Sequence, residues 1–356
     1  MPKVNAQITK LEFAPYHYFN KSVMLQGPTG SGKSRATLYL CNMLKDIIDI
    51  PVVFCPTNNE HGDYDKIIPD IMIRKHVTGD AITEIIQAQR DKREMINHSK
   101  KLIKYWKMLP GHEEIDSEYI NEKAVIDERI AKNKASMTNS DFAREKHEKY
   151  LLRYSRNKKS RKLINKYIKK LYKDHGLIYG TENAGSNVAK ELGIFHNYFR
   201  LTINMLLIID DCSDQLENVA KESWVLLMTK NRHFNITVIM GAHTLNDIKV
   251  PALRTQPFWT IFTTVGTAQY YLNNSTTGVK GIIVPDPSSL AKAFNHDRDK
   301  ETMTRVVIER ESSSIFKFVY PLNFTFRIGN EAIWKLNDKM IAKKESKPVS
   351  IKASML

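Results

Sequence analysis

Residues 22–40 read SVMLQGPTGSGKSRATLYL: a short apolar run, a turn holding Gly27, Gly30 and Gly32, and then a segment whose Leu38 and Leu40 continue into Met43 and Leu44 at helical spacing. Glycine lets the backbone take positive φ, so successive amides can turn toward one point. A helix opening directly behind the turn aims its positive end at that same point. Strand, glycine turn and helix together form a cradle for an anion, and they commit the chain to a sheet with helices packed on it. The turn matches G-x-x-x-x-G-K-[S/T] in full, which narrows the anion to the phosphates of a nucleotide. The expected contacts are Gly27, Pro28, Thr29, Gly30, Ser31, Gly32, Lys33, Ser34 and Arg35. Lys33 is placed to reach the β and γ phosphates and Ser34 to give one oxygen to a magnesium ion, so the expected ligands are ATP and Mg²⁺.

Further strand-like runs occur at PVVFCP (51–56), INMLLIID (203–210), ITVIMGA (236–242) and WTIFTTV (259–265). They are continuously apolar rather than alternating, the pattern of strands covered on both faces, and helical patterns separate most of them. The expected fold is α/β, a P-loop NTPase of the type with an additional strand beside the loop strand, its mostly parallel sheet covered by helices. A hairpin of RVVIER (305–310) and IFKFVY (315–320) should extend that sheet. The run MLLIIDD (205–211) ends in two acids where a buried strand emerges. Asp210 there suits the metal or its waters, and Asp211 suits a general base beside the γ-phosphate.

Between the second and third strands lies a helical stretch of about a hundred residues, and its charge is extreme. Arg144 to Asp174 holds thirteen Lys and Arg against three acids, which leaves +10 of the chain's net +15. Its apolar residues recur as Leu163, Tyr167, Leu171 and Ile164, Ile168, Tyr172, an amphipathic stripe expected to dock on the core and leave the cations outward. Tyr150, Tyr154, Tyr167 and Tyr172 belong to that stripe rather than to a base-stacking platform. Rows of cations without sequence-reading side chains suit a nucleic-acid backbone, and Lys158, Lys159, Arg161, Lys162, Lys166, Lys169 and Lys170 are the expected contacts. An acidic protein surface is the other polyanion that fits. Cys41, Cys55 and Cys212 form no paired or zinc-type spacing and read as small buried groups in a reducing compartment. The start of the chain lacks signal architecture and no run is long enough to span a bilayer, so an intracellular, soluble protein is expected, with no membrane insertion.

Taken in order, GPTGSGKS, LLIIDD, Arg232-His233 before a strand, His243 at that strand's end, VPALR and the closing IFKFVYPLNFTFRIG resemble the poxvirus-type genome-packaging ATPases of the FtsK/HerA superfamily, found in large DNA viruses. The resemblance spans residues 22–330 but not the basic segment. It implies a homo-oligomeric ring that hydrolyses ATP between subunits and translocates double-stranded DNA into a capsid. It also implies capsid or portal partners, and a place in the host cytoplasm at sites of virus assembly or on the virion. It puts the γ-phosphate sensor on His243, where the family pattern has glutamine, and a trans-acting arginine on Arg232, with Arg254 as the rival. Either arginine also fits an ordinary surface ion pair.

Two other functions remain open on the residues alone. A nucleoside or nucleotide kinase shares the loop, but the Asp-Asp end and the basic insertion speak against it. A nucleotide-gated DNA-binding or assembly module would bind ATP without turnover. The expected domain division is an ATPase core of 1–80 and 177–330, a basic helical insertion of 81–176, and a basic C-terminal tail of 331–356.

Overall fold

The computed structural model describes residues 8–99, 102–179, 186–200, 204–244, 246, 248–274 and 284–345. The chain divides into two compact units, one of residues 1–12, 20–82 and 204–356, the other of 13–19 and 83–203.

The first unit is built on a ten-stranded sheet. Its strands in chain order are β1 (Thr9–Lys10), β2 (Ser22–Gln26), β3 (Ile50–Phe54), β4 (Ile73–Arg74), β5 (Met205–Ile209), β6 (Ile236–Ala242), β7 (Trp259–Phe262), β8 (Asn295–Asp297), β9 (Thr302–Glu309) and β10 (Ser314–Pro321). They lie in the order β1-β10-β9-β7-β2-β6-β5-β3-β4, with β8 on β9. From β7 to β4 every pairing is parallel, while β9 runs antiparallel to both β7 and β10. Every residue of β2, β5, β6 and β7 is buried, as their unbroken apolar runs require. The expected hairpin is present as β9 and β10, joined to the sheet through β7.

Parallel pairing sets the strand ends level. Gln26 pairs with both Ala242 and Phe262, and Ile209 pairs with Met240, so the residues that follow β2, β5, β6 and β7 emerge together along one edge. Of the helices, α2 (Lys33–Leu44) follows the loop, α3 (Asn58–His61) follows β3, and α9 (Lys221–Phe234), α10 (Pro251–Thr255), α11 (Val265–Asn273) and α12 (Pro287–Lys292) connect the later strands. The segment expected as a tail from 331 is helical over α13, Glu331–Glu345, where Trp334 Nε1 donates to the Ile328 carbonyl and Asn337 accepts from the Ile71 amide. Residues 346–356 of the expected tail lie outside the described residues.

The second unit is helical, with α1 (Pro15–Tyr18), most of α4 (Gly79–Ser99), α5 (Ile103–Lys107), α6 (His112–Asn133), α7 (Asn139–Asp174) and α8 (Asn187–Arg200). Its 36-residue helix α7 is about 54 Å long at 1.5 Å per residue. Thr138 and Asp141 cap its start reciprocally, which satisfies two of the amides a helix leaves open. The apolar stripe docks within the helical unit: Ile164, Ile168 and Leu171 are buried against Tyr105, Trp106 and Leu109 around α5 and Leu192, Phe195 and Phe199 of α8. This is why the unit runs to Ile203 rather than ending near 176. Tyr150, Tyr154, Tyr167 and Tyr172 are half-buried along the same helix. No helix among the described residues is long and apolar enough to cross a membrane.

Candidate functional site

In the loop after β2 two of the three glycines, Gly30 (φ +74) and Gly32 (φ +91), take positive φ, a region that side chains disfavour. Gly32 caps α2, and the first amides of this twelve-residue helix have no partner within the helix itself. Lys33 is 6% exposed, and its ammonium donates to the carbonyls of Gly27 (2.8 Å) and Pro28 (3.2 Å). Burial holds its pKa below the usual lysine value, against the pull of the Asp211 and Asp210 carboxylates. Ser31 Oγ lies 2.6 Å from Thr263 Oγ1 at the end of β7, so the loop is braced from the neighbouring strand.

Asp210 follows β5 and is 3% exposed. Its Oδ2 accepts from Tyr64 Oη at 2.8 Å and lies 3.5 Å from Ser34 Oγ, while its Oδ1 is buried with no hydrogen-bond partner among the described residues. Oδ1 sits against Gly241 of β6, where an added Cβ would come within 2.3 Å of it. Only glycine leaves room for the carboxylate there. Burial, with the neighbouring Asp211 charge, pushes the Asp210 pKa up, partly offset by the Tyr64 hydrogen bond and Lys33. Hard dications take oxygen donors, and Asp210 and Ser34 supply a carboxylate and a hydroxyl facing one another. The orphaned Oδ1 marks a group that lacks its full complement of partners. Among the described residues no three acids, histidines or cysteines cluster to cage a metal by themselves. The carboxylate and hydroxyl present fit a hard divalent cation such as magnesium, which Asp210 and Ser34 would hold.

Asp211 stands next to this pair at φ +53. One carboxylate oxygen accepts from Thr57 Oγ1 at 3.2 Å, and the other lies 3.4 Å from His243 Nε2. The other ring nitrogen of His243, Nδ1, is 3.3 Å from Lys33 Nζ and 3.5 Å from Thr29 Oγ1. The Lys33 ammonium calls for an acceptor at Nδ1 and the Asp211 carboxylate for a donor at Nε2. His243 thus bridges the loop lysine and the second acid.

The remaining expected residues are placed less directly. Arg35 is exposed on α2. Arg232 is exposed in the last turn of α9, and Arg254 on α10 is half-buried, its Nε without a hydrogen-bond partner among the described residues. No hydrogen bond or ion pair among the described residues ties either of the last two to the phosphate loop. On α7, Lys158, Lys159, Lys162, Lys166, Lys169 and Lys170 are exposed, whereas Arg161 is half-buried and its Nε donates to the Phe199 carbonyl. Lys159 is further engaged by Glu118 of α6. The three cysteines are free and buried, and burial raises each thiol pKa, that of Cys55 to about 11, so none is a thiolate nucleophile.

Tyr64, Thr57, Thr263 and Gly241 were not legible as site residues, and neither was Arg305 of β9, whose guanidinium donates to the Ser31 carbonyl at 3.1 Å. The one available signal was Arg305 itself, a cation opening the apolar run RVVI.

No family model matches the chain. Over 274 residues it is 25% identical to a protein of African swine fever virus (isolate Warthog/Namibia/Wart80/1980) described as uncharacterized protein B354L, covering 72% of this chain and 70% of that protein. The match to the same protein of isolate Pig/Kenya/KEN-50/1950 has the same extent. Among solved structures, EssC (ATPases 2 and 3) from Geobacillus thermodenitrificans is similar at 12% identity and a TM-score of 0.34, over 92% of this chain and 44% of that one, so the chain spans less than half of EssC. Plasmid coupling protein TrwB in complex with ADP and Mg²⁺ is similar at 16% identity and a TM-score of 0.36, over 92% and 91%. Independently of these faint likenesses, the cradle after β2 and the placement of β6 between β2 and the acid-bearing β5 make the first unit an α/β P-loop NTPase fold.

Proposed function

We propose that the chain is an ATP-hydrolysing motor that moves double-stranded DNA, working as a ring of identical subunits in the packaging of a viral genome. The observation that carries this reading is the convergence of Lys33, Ser34, Asp210 and a second acid, Asp211, along one sheet edge with a strand interposed between loop and acids. A second acid held beside the terminal phosphate is what hydrolysis by water requires. A kinase, which activates another substrate, does not need it there.

The residues divide the work. When nucleotide enters, the Lys33 ammonium exchanges the Gly27 and Pro28 carbonyls for β and γ phosphate oxygens, and the amides opening α2 hold the same phosphates. A magnesium ion held by Ser34 and Asp210 would supply charge neutralisation at the phosphates. Asp211, steadied by Thr57 and His243, orients the attacking water and takes its proton. His243 touches both Lys33 and Asp211, so it reports the occupancy of the loop to the base, the part that the glutamine plays in the resembling family. Arg232, exposed at the end of α9, or Arg254 reaches the neighbouring subunit's nucleotide. The exposed lysines of α7 track the duplex backbone without reading sequence, and capsid or portal protein is the further partner.

Phosphate release from Mg-ATP, measured with and without duplex DNA and with nucleosides offered as acceptors, tests the reading. Turnover stimulated by duplex, with no phosphorylated nucleoside, is the expected result. ATP binding without turnover under either condition would replace the motor with a nucleotide-gated module.

A further inference from the structure

Arg305 lies on β9, one residue before Val306, which pairs with Phe262 at the end of β7. That register sets it level with Thr263 and directly beside the phosphate loop. The side chain is 5% exposed. Nη1 donates to the Thr304 carbonyl at 3.1 Å, and Nη2 donates to the Ser31 carbonyl at 3.1 Å and contacts Met303 Sδ at 2.8 Å. Nε is buried with no acceptor among the described residues. Nη2 would stand 3.2 Å from a Cβ built on Gly32, which places the charge against the turn that opens α2. Among the described residues no carboxylate lies at salt-bridge distance of this guanidinium.

A buried cation without an anion is costly, because two carbonyls, a thioether and the Tyr320 hydroxyl are all neutral and return only part of the hydration that was lost. The neighbouring site is built for a polyanion. We infer that Arg305 is a positioning residue of the nucleotide site, a second cation supplied within the same subunit by the C-terminal hairpin, whose counter-ion is the phosphate chain of a bound nucleoside di- or triphosphate. By holding the Ser31 carbonyl, it fixes the peptide plane preceding the Gly32 amide and thus the direction in which the cradle opens. Lys33 sits on the other flank of the loop, so the phosphates would lie between two cations delivered by different parts of the chain.

The inference rests on the nucleotide reading of this site, and the test separates the two. Affinity for a fluorescent ADP analogue is measured by anisotropy, with magnesium and with chelator, alongside melting of the protein without nucleotide. Wild type is expected to bind, and Lys33→Ala is expected to abolish binding. Arg305→Met is expected to weaken binding at least tenfold with and without magnesium, while the nucleotide-free melting temperature holds or rises because an uncompensated buried charge is gone. Arg305→Lys is expected to recover most of the affinity. Should Arg305→Met fail to fold, Met303→Glu gives the guanidinium a built-in counter-ion, and a loss of at least tenfold relative to Met303→Gln is expected. Wild type without affinity for the analogue would sink the nucleotide reading. Wild type that binds, with Arg305→Met or the Met303 pair within twofold of their references, would sink the Arg305 inference alone. A nucleotide-free melting temperature that drops in Arg305→Met, with unchanged affinity in the fraction still folded, would reduce the residue to a structural role.

Discussion

At the edge of the sheet, Lys33, Asp210 and Arg305 are each under one-tenth exposed, and none has an oppositely charged group at salt-bridge distance among the described residues. Along the first two thirds of α7 the charges are paired instead, and apart from Glu145 the paired groups are at least partly exposed. Glu145 and Glu148 take Arg129, Lys149 meets Asp127, Arg156 meets Asp116 at 2.5 Å and Lys159 meets Glu118, all pairs with α6. Past Arg161 no ion pair is made among the described residues, and Lys162, Lys166, Lys169, Lys170 and Lys173 stand exposed. The contrast separates two uses of charge. In a dry site each charge is strong and irreplaceable, so a single substitution should change behaviour by orders of magnitude. On a wet helix each exposed pair is worth about 0–1 kcal/mol, and only the sum of several cations acts at a distance.

This contrast can be broken in order of expected effect. Lys33→Ala should remove measurable Mg-ATP binding and turnover, read by calorimetry and phosphate release; retained micromolar affinity would mean that the buried ammonium is a packing feature. Asp211→Asn should still bind ATP but release phosphate at least a hundredfold more slowly, since the amide keeps the shape and loses the base. Unchanged turnover would move the base elsewhere. On the helical side, replacing Lys158, Lys162, Lys166 and Lys170 together by Ala should weaken duplex binding at every sequence and lower the slope of log affinity against log salt by up to about 3–4. A slope identical to wild type would dismiss the stripe as a DNA surface.

The smallest effect concerns pH. His147 on α7, packed against Phe19 and Tyr150, is held down to about 4 by burial. Above pH 6.5 the imidazole is neutral in both folded and unfolded chains. From there down to about pH 4 the unfolded chain takes a proton that the folded one refuses, so stability falls across that window and levels off below it. Melting curves between pH 7 and 4 should show a shallower decline in His147→Phe than in wild type.

The parts of this molecule written into contiguous residues were the ones legible in advance. GPTGSGKS, the unbroken apolar strands and the Asp-Asp end each state their conformation within about ten residues, and the α7 stripe announces its buried face by period alone. What that stripe packs against is not a property of the stripe. The partners on α5 and α8 come from elsewhere in the chain, and the unit accordingly extends past the expected boundary. The same holds within the site. Tyr64 reaches Asp210 across 146 residues, and Arg305 reaches Ser31 across 274. Neither lies in a motif: Arg305 is placed by the register of β9 on β7, and Tyr64 by the turn after α3, where its amide donates to Asn58 Oδ1, and pattern reading supplies neither. The helix over 331–345 was obscured by a charged composition shared by solvated tails and surface helices.

The backbone at Asp211 has one more consequence. Its φ of +53 is the left-handed conformation, which costs an ordinary L-residue about 1–2 kcal/mol and which asparagine and aspartate visit more readily than longer side chains. The strand therefore ends on a bend that selects for a short acid. Glutamate, one methylene longer, would be disfavoured by the handedness of the main chain before its reach toward a water molecule came into question. The chemistry of hydrolysis admits either carboxylate; at this position the choice between them is made by a torsion angle.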